Sequence, residues 1–188
     1  MFRYLTLTLA MLALLTTPIF AQDSGSNKNL DVRSSIGDLH VGSDADARKT
    51  GLPLYPGAVL KSDGQNKDQA NLSLLTEAFG MKLVVAHYDS DDVPAKIIDF
   101  YRDKLKKYGK VLECHSHKHD ESIDVHDDDK GSKSSKELKC DENSGPITEL
   151  KVGVEDNQHV VAVQPRDTGK GSTFALVYVH THGKRGDI

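Results

Sequence analysis

Apolar residues follow two different periods along this chain, and this difference constrains its fold more than any other feature of the sequence. Short stretches rich in β-branched residues predict strands near residues 58–61, 71–76, 81–88, 111–114, 148–155, 159–163 and 172–181. By contrast, residues 92–108 repeat apolar side chains at helical spacing, which predicts one long helix. We therefore expect an α+β fold, in which an antiparallel sheet of about five to seven strands carries the helix on one face.

The apolar stripe of the predicted helix contains Val93, Ile97, Phe100, Tyr101, Leu105 and Tyr108. Gly109 follows the last turn and is typical of a residue that ends a helix in a left-handed conformation. Because Phe100 lies in the middle of the stripe, we expect its ring to be buried against the sheet.

The N-terminus has the pattern of an export signal. Arg3 precedes an apolar stretch from Tyr4 to Leu15, and Ala21 supplies a small residue at the break. The apolar stretch is too short to span a bilayer. We expect residues 1–21 to be a signal peptide that is cleaved before Gln22, which would leave a soluble periplasmic or extracellular protein without a transmembrane segment.

Composition predicts how the remaining chain is organised. Residues 22–50 are polar and contain few large apolar side chains, so we expect a flexible leader. A short edge strand through Val32, Ile36, Leu39 and Val41 is an alternative within it, which Gly37 and Gly42 weaken. Residues 51–183 carry the strand and helix patterns and predict one compact domain, interrupted by a polar insertion at 115–139. Residues 184–188 form a short C-terminal tail.

The two cysteines, Cys114 and Cys140, flank the polar insertion. In an exported chain an even pair of cysteines favours a disulfide bond. Two buried thiols are the alternative. The spacing excludes a C-x-x-C redox pair.

Three short motifs resemble those of an uncharacterised family of exported bacterial proteins. They are the turn at residues 52–58, which contains the letters YPGA, the helix start at residues 91–96, and an FYRxxL segment at residues 100–105. The resemblance covers residues 51–181 and implies a secreted α+β domain. It assigns no catalytic or binding residue.

A histidine-rich segment is the one constellation with chemical content. His115 and His117 alternate along the strand that leaves Cys114, so both are expected on one side, and an H-x-H pair can offer two imidazoles to a zinc or copper ion. His119 and His126 complete the candidate metal-binding set. A solvated polar loop is the competing interpretation. We expect His40, His87, His159, His180 and His182 to be surface or structural histidines.

The remaining features favour a binding function. The formal net charge of −4 and the lack of a basic stripe argue against nucleic acid as a partner. Sequence motifs of serine hydrolases and zinc proteases are absent, and no cofactor is clearly indicated. We expect a non-enzymatic binding or interaction domain for an unknown protein or small ligand. A metal-binding or metal-buffering protein is the first alternative, and a hydrolase built from scattered Ser, His and Asp residues is the second.

Overall fold

The computed structural model describes residues 29–35, 37–61, 69–76, 79–117, 137–167 and 169–183. Within these ranges the chain forms nine strands. They are β1 (Leu30–Ser34), β2 (Gly37–Gly42), β3 (Val59–Leu60), β4 (Gln69–Thr76), β5 (Phe79–Ser90), β6 (Leu112–Ser116), β7 (Ile147–Val154), β8 (Asn157–Pro165) and β9 (Ser172–Gly183). One helix, α1 (Pro94–Leu105), continues into a 3-10 helix at Lys106–Tyr108.

All the strands join one antiparallel sheet with the order β1-β2-β4-β5-β9-β8-β7-β6, and β3 pairs with β5 beside β4. β4 pairs with β5, and β7, β8 and β9 form an antiparallel meander. The two longest strands, β5 and β9, lie next to each other at the centre of the sheet.

The expected α+β class is therefore wrong, because the protein is mainly β. The helix is shorter than predicted and packs over β7 and β8 rather than across the whole sheet. The strand number was underestimated because β1 and β2 alternate polar and apolar residues and contain little of the apolar density by which the other strands were recognised.

The predicted leader differs from the structure at residues 30–50. β2 pairs with β4, and the segment that follows it buries Ala45 and Ala47 in the core. The Ala47 amide donates a 2.7 Å hydrogen bond to the Tyr88 hydroxyl. The compact domain therefore includes residues 30–50, and its predicted start at Gly51 has to be moved to Leu30. Residues 1–28 and 184–188 lie outside the described part of the chain.

The core lies on one face of the sheet. α1 buries Ile97, Tyr101 and Leu105 completely, and these side chains pack with strand residues that include Leu176. Phe100, the residue expected to be buried, is only partly buried and touches the Tyr101 ring edge-on. The three buried residues all belong to the predicted stripe, so the predicted side of the helix is largely correct. Phe100 lies at the border of the buried side, and Val93, which precedes the helix, is 56% exposed.

A second segment covers the other half of the same face. Residues 43–58 cross β4 and β5 and contribute Leu52 and Tyr55 to the core. Within this segment the Tyr55–Ala58 turn places Gly57 at a φ of 75°, as the Pro-Gly pair predicted. Together α1 and residues 43–58 form the only layer that the described residues add to the sheet, and we call the side that they cover the helix face.

Candidate functional site

The disulfide between Cys114 and Cys140 is confirmed. It joins β6, at the edge of the sheet, to the segment that returns after the polar insertion. The Cα atoms are 5.5 Å apart, and Cys114 is only 1% exposed. The bond therefore holds the two ends of the insertion together, as the sequence predicted.

His115 lies on the side of β6 on which the helix packs, and His117 follows directly after the last residue of β6. The His117 ring places Nδ1 2.5 Å from Oε1 of Glu142, and its backbone N–H donates a 3.1 Å hydrogen bond to Oε2 of the same carboxylate. The hydrogen bonds from His117 lower the pKa of Glu142, with the backbone bond the largest cause. The His115 amide donates to Oδ1 of Asn143 at 3.2 Å.

The other two predicted ligands, His119 and His126, lie outside the described residues. Among the residues that the structure does describe, no group of three or more His, Cys, Asp or Glu side chains is arranged to hold a metal ion. Glu142 was not recognised from the sequence, because it lies 25 positions beyond His117. A carboxylate on Nδ1 leaves Nε2 of His117 as the nitrogen that can bind a metal.

A close backbone approach at Gly145 fixes this arrangement. A Cβ atom on Gly145 would lie 2.1 Å from the carbonyl oxygen of Ser116, and φ at this glycine is +156°. Only glycine allows the returning segment to lie this close to β6. The contact holds Glu142 beside His117.

A second polar cluster surrounds His40 on the helix face. Nδ1 of His40 lies 2.7 Å from Asp31, while Nε2 lies 3.3 Å from Nδ2 of Asn71 and 3.5 Å from Asp44. Hydrogen bonding to Asp31 is the main cause that raises the pKa of His40. An ion pair with Lys49 is the main cause that holds the pKa of Asp44 well below its ordinary value.

This cluster bears on the hydrolase alternative. Ser73 lies directly opposite His40 in the pairing of β2 with β4, so an Asp, a His and a Ser occupy neighbouring positions across three strands. The described contacts of the His40 ring, however, go to Asp31, Asp44 and Asn71. Because Nε2 faces an amide donor and a carboxylate rather than the serine hydroxyl, this histidine is not placed to act as a base toward Ser73.

His159 has the structural role that the sequence predicted. Its ring stacks on Tyr108 at 4.0 Å and lies 4.8 Å from Tyr178. Burial is the main cause that lowers the pKa of His159, and the nearby Lys107 adds to the effect. The neutral ring thus closes the core where the 3-10 helix meets β8 and β9.

The most unusual surface lies on the side of the sheet opposite the helix face, and we call it the apolar face. Because side chains alternate along a strand, the pairing register places apolar residues of six neighbouring strands together there. They are Leu30, Val32, Leu39, Val41, Ala70, Leu72, Leu74, Met81, Leu83, Val85, Val160, Ala162, Ala175, Val177 and Val179.

The apolar face is open to solvent. Leu30, Val32 and Val41 are 55%, 45% and 41% exposed, and Leu83 and Val177 remain partly exposed. The buried core consists of residues from the helix face and from the layer above it, and none of its members belongs to the apolar face. An antiparallel sheet with one free side normally places polar residues on that side, so this pattern is the opposite of the usual one.

Charged side chains lie at the margin of the apolar face and have partners within the chain. Lys151 lies 3.1 Å from Glu149, whose other carboxylate oxygen accepts a 2.6 Å hydrogen bond from Ser116. Asp89 accepts a 2.7 Å hydrogen bond from Thr173. Along β1, β2, β4, β5 and β9 the described residues in the centre of the face carry no formal charge.

The chain matches no protein-family model, and neither the curated proteins nor the solved structures contain a significant match. In the described part of the chain, no helix is both long enough and apolar enough to cross a membrane. Function has to be inferred from the side chains and surfaces of this protein alone.

Proposed function

We propose that the protein is a non-enzymatic binding domain that uses the apolar face to hold an apolar surface of another polypeptide. One observation carries the proposal: a sheet face of six strands presents aliphatic side chains, and the described residues do not cover it. Contiguous exposed apolar surface of this extent is typical of interaction sites rather than of free surfaces.

The chemistry of the face favours an uncharged partner. Its centre lacks charges, and the marginal Lys151 and Glu149 neutralise each other. A strongly charged partner would lose hydration at its charges and gain no opposite charge in return. An enzyme would need converging polar groups, whereas the centre of the apolar face is aliphatic and its polar residues, such as His87 and Thr173, lie toward one end of β5 and β9.

Site-specific cross-linking tests the proposal. A benzophenone side chain is placed at Leu83, in the centre of the apolar face, or at Leu75, which is 51% exposed on the helix face and serves as the control. We expect Leu83 to cross-link to a polypeptide in the producing cell and Leu75 not to. The adduct should disappear when Val41→Lys is added to the face. Equal cross-linking at both positions, or none at Leu83, would contradict the proposal.

Metal binding is the second candidate, and Glu142 is the observation that favours it. A carboxylate that holds Nδ1 of a histidine also orients Nε2 toward a metal. His115 and His117 would supply imidazole ligands for zinc or copper, with His119 or His126 as further ligands from the insertion. If the polar insertion at 115–139 is only a solvated loop, no saturable binding of zinc or copper is expected.

Calorimetry with zinc or copper on the oxidised protein tests this candidate. Wild type should bind at about tens of micromolar metal, and His117→Ala should abolish binding. Glu142→Gln should weaken it by about tenfold to a hundredfold, because outer partners have effects of this size. Affinity should fall from about pH 7 to 5 as imidazole protonates. His182→Ala is the control, and an equal loss there would exclude the site.

We further propose that the protein is exported. The apolar segment after Arg3 and the disulfide bond support this, because disulfides persist in oxidising compartments. Mass spectrometry of the secreted or periplasmic protein should find Gln22 as the first residue. Retention of residues 1–21 in the mature protein would contradict the proposal. The family resemblance of residues 51–181 stays a prediction.

A further inference from the structure

We infer that the occupant of the apolar face is the same face of a second copy of this chain, so that two sheets pack face to face in a homodimer. This inference rests on the proposed function and adds the identity of the partner. The alternatives are a different polypeptide and an apolar small molecule, and the experiment below separates them.

The size of the face fits a weak dimer interface. Its fifteen side chains, on strands about 4.8 Å apart and in rows about 6.7 Å apart, cover about 480 Å². Two copies would bury about 960 Å² together, which lies below the range of about 1,200 to 2,000 Å² for stable interfaces and fits a weak association. Sheets pack face to face about 10 Å apart with interdigitating aliphatic side chains, so an identical sheet has the right shape to cover this one.

The charge pattern also fits a second copy. A two-fold interface brings a surface against itself, so every uncompensated charge would face a like charge near the axis. The centre of the apolar face avoids this problem because it carries no charged side chain. At the margin, Lys151 and Glu149 are already paired within one chain.

The exposure of the aliphatic side chains shows where dimerisation would remove most apolar surface from water. Leu30, Val32 and Val41 are the most exposed large aliphatic side chains of the face, and they lie at its β1–β2 end. Two-fold packing would cover this end with the partner's sheet. On the helix face, in contrast, the large apolar side chains of β7, β8 and β9 such as Leu150, Val161 and Leu176 are buried in the core.

The mass of the purified protein in solution, measured by light scattering or sedimentation from about 1 to 100 µM, tests the inference. We expect twice the mass of one chain at the upper concentrations. Leu72→Glu on the apolar face should weaken dimerisation by more than about tenfold, because a carboxylate would be buried without a partner. Leu75→Glu has the same residue change on the same strand but on the opposite face, and it should leave the dimer intact.

Val41→Lys provides a second variant in case Leu72→Glu does not fold, because Val41 is 41% exposed in the single chain. Far-ultraviolet circular dichroism checks that each variant keeps its strands. A monomer at every concentration, or a dimer that survives both substitutions, would overturn the inference. If Leu83 still cross-linked to a polypeptide of a different mass, the proposed binding function would remain and only the second copy would be excluded.

Discussion

The hydroxyl of Tyr101 ties the helix to the segment that covers the other half of the core, and its removal should destabilise the protein measurably. The side chain is fully buried. Its oxygen accepts a 3.1 Å hydrogen bond from the Tyr55 backbone N–H and donates a 3.1 Å hydrogen bond to the Pro53 carbonyl. Tyr101→Phe keeps the ring but leaves both backbone groups without this partner.

The expected loss is about 2 kcal/mol in the free energy of unfolding. A buried donor or acceptor left unsatisfied costs about 1 to 3 kcal/mol, and here the Tyr55 N–H is buried while the Pro53 carbonyl is only partly buried and can recruit water. Tyr108→Phe is the matched control. Its hydroxyl donates a 2.6 Å hydrogen bond to Gly51, but the site is exposed, so the loss should stay below about 1 kcal/mol.

Urea unfolding followed by circular dichroism measures both variants. The midpoint should shift while the dependence on urea concentration stays constant, because neither variant changes the surface exposed on unfolding. If Tyr101→Phe changes the free energy of unfolding by less than Tyr108→Phe, the assigned role of the Tyr101 hydroxyl is wrong.

Three further perturbations test the remaining features. Replacing Cys114 and Cys140 by Ala should lower the free energy of unfolding by about 3 kcal/mol, because the disulfide joins residues separated by 26 positions. Equal urea midpoints for the oxidised wild type and the double variant would contradict this. Burial lowers the pKa of His159 in the folded protein, so the neutral ring stabilises the fold above the unfolded pKa of 6.5, and this stabilisation is lost as pH falls below that value. His159→Phe should therefore remove part of the loss of thermal stability at acid pH. An unchanged dependence of thermal unfolding on pH would refute this role. Gly145→Ala should lower the free energy of unfolding by about 1 to 3 kcal/mol, because the added Cβ would lie 2.1 Å from the Ser116 carbonyl oxygen. An unchanged free energy in urea unfolding would show that the returning segment can move.

The errors in the predicted fold have a common physical cause. Periodicity detects a strand when one or both of its faces are apolar and the stretch is dense enough, as in β5 and β9. β1 and β2 place polar residues such as Asp31 and His40 on the helix face, where they form hydrogen bonds rather than packing in the core. The alternation of β1 and β2 is a strand pattern, but the strands are short, and Gly37 and Gly42 weaken the pattern within a polar segment.

The candidate metal site also combines a local feature that the sequence indicates with a long-range contact that it does not. The spacing along one strand led to the prediction that His115 and His117 share a side, because alternation is a local property of a strand. His117, however, follows the last residue of β6. Glu142 reaches His117 only because the disulfide and the close approach at Gly145 return the chain to β6. No local sequence pattern indicates a contact across a loop of this length.

The sequence by itself determined the positions of the central strands and of the helix, and it indicated the disulfide, because periodicity, turn residues and paired cysteines act locally or through simple chemistry. Residues 81–86 of β5 are, apart from Lys82, apolar on both sides of the strand. Only the tertiary structure decides which side is covered. α1 and residues 43–58 cover one side, and no described segment covers the other. Which face of a sheet receives its covering layer depends on how distant segments pack, and in the described part of the chain that packing covers the helix face alone.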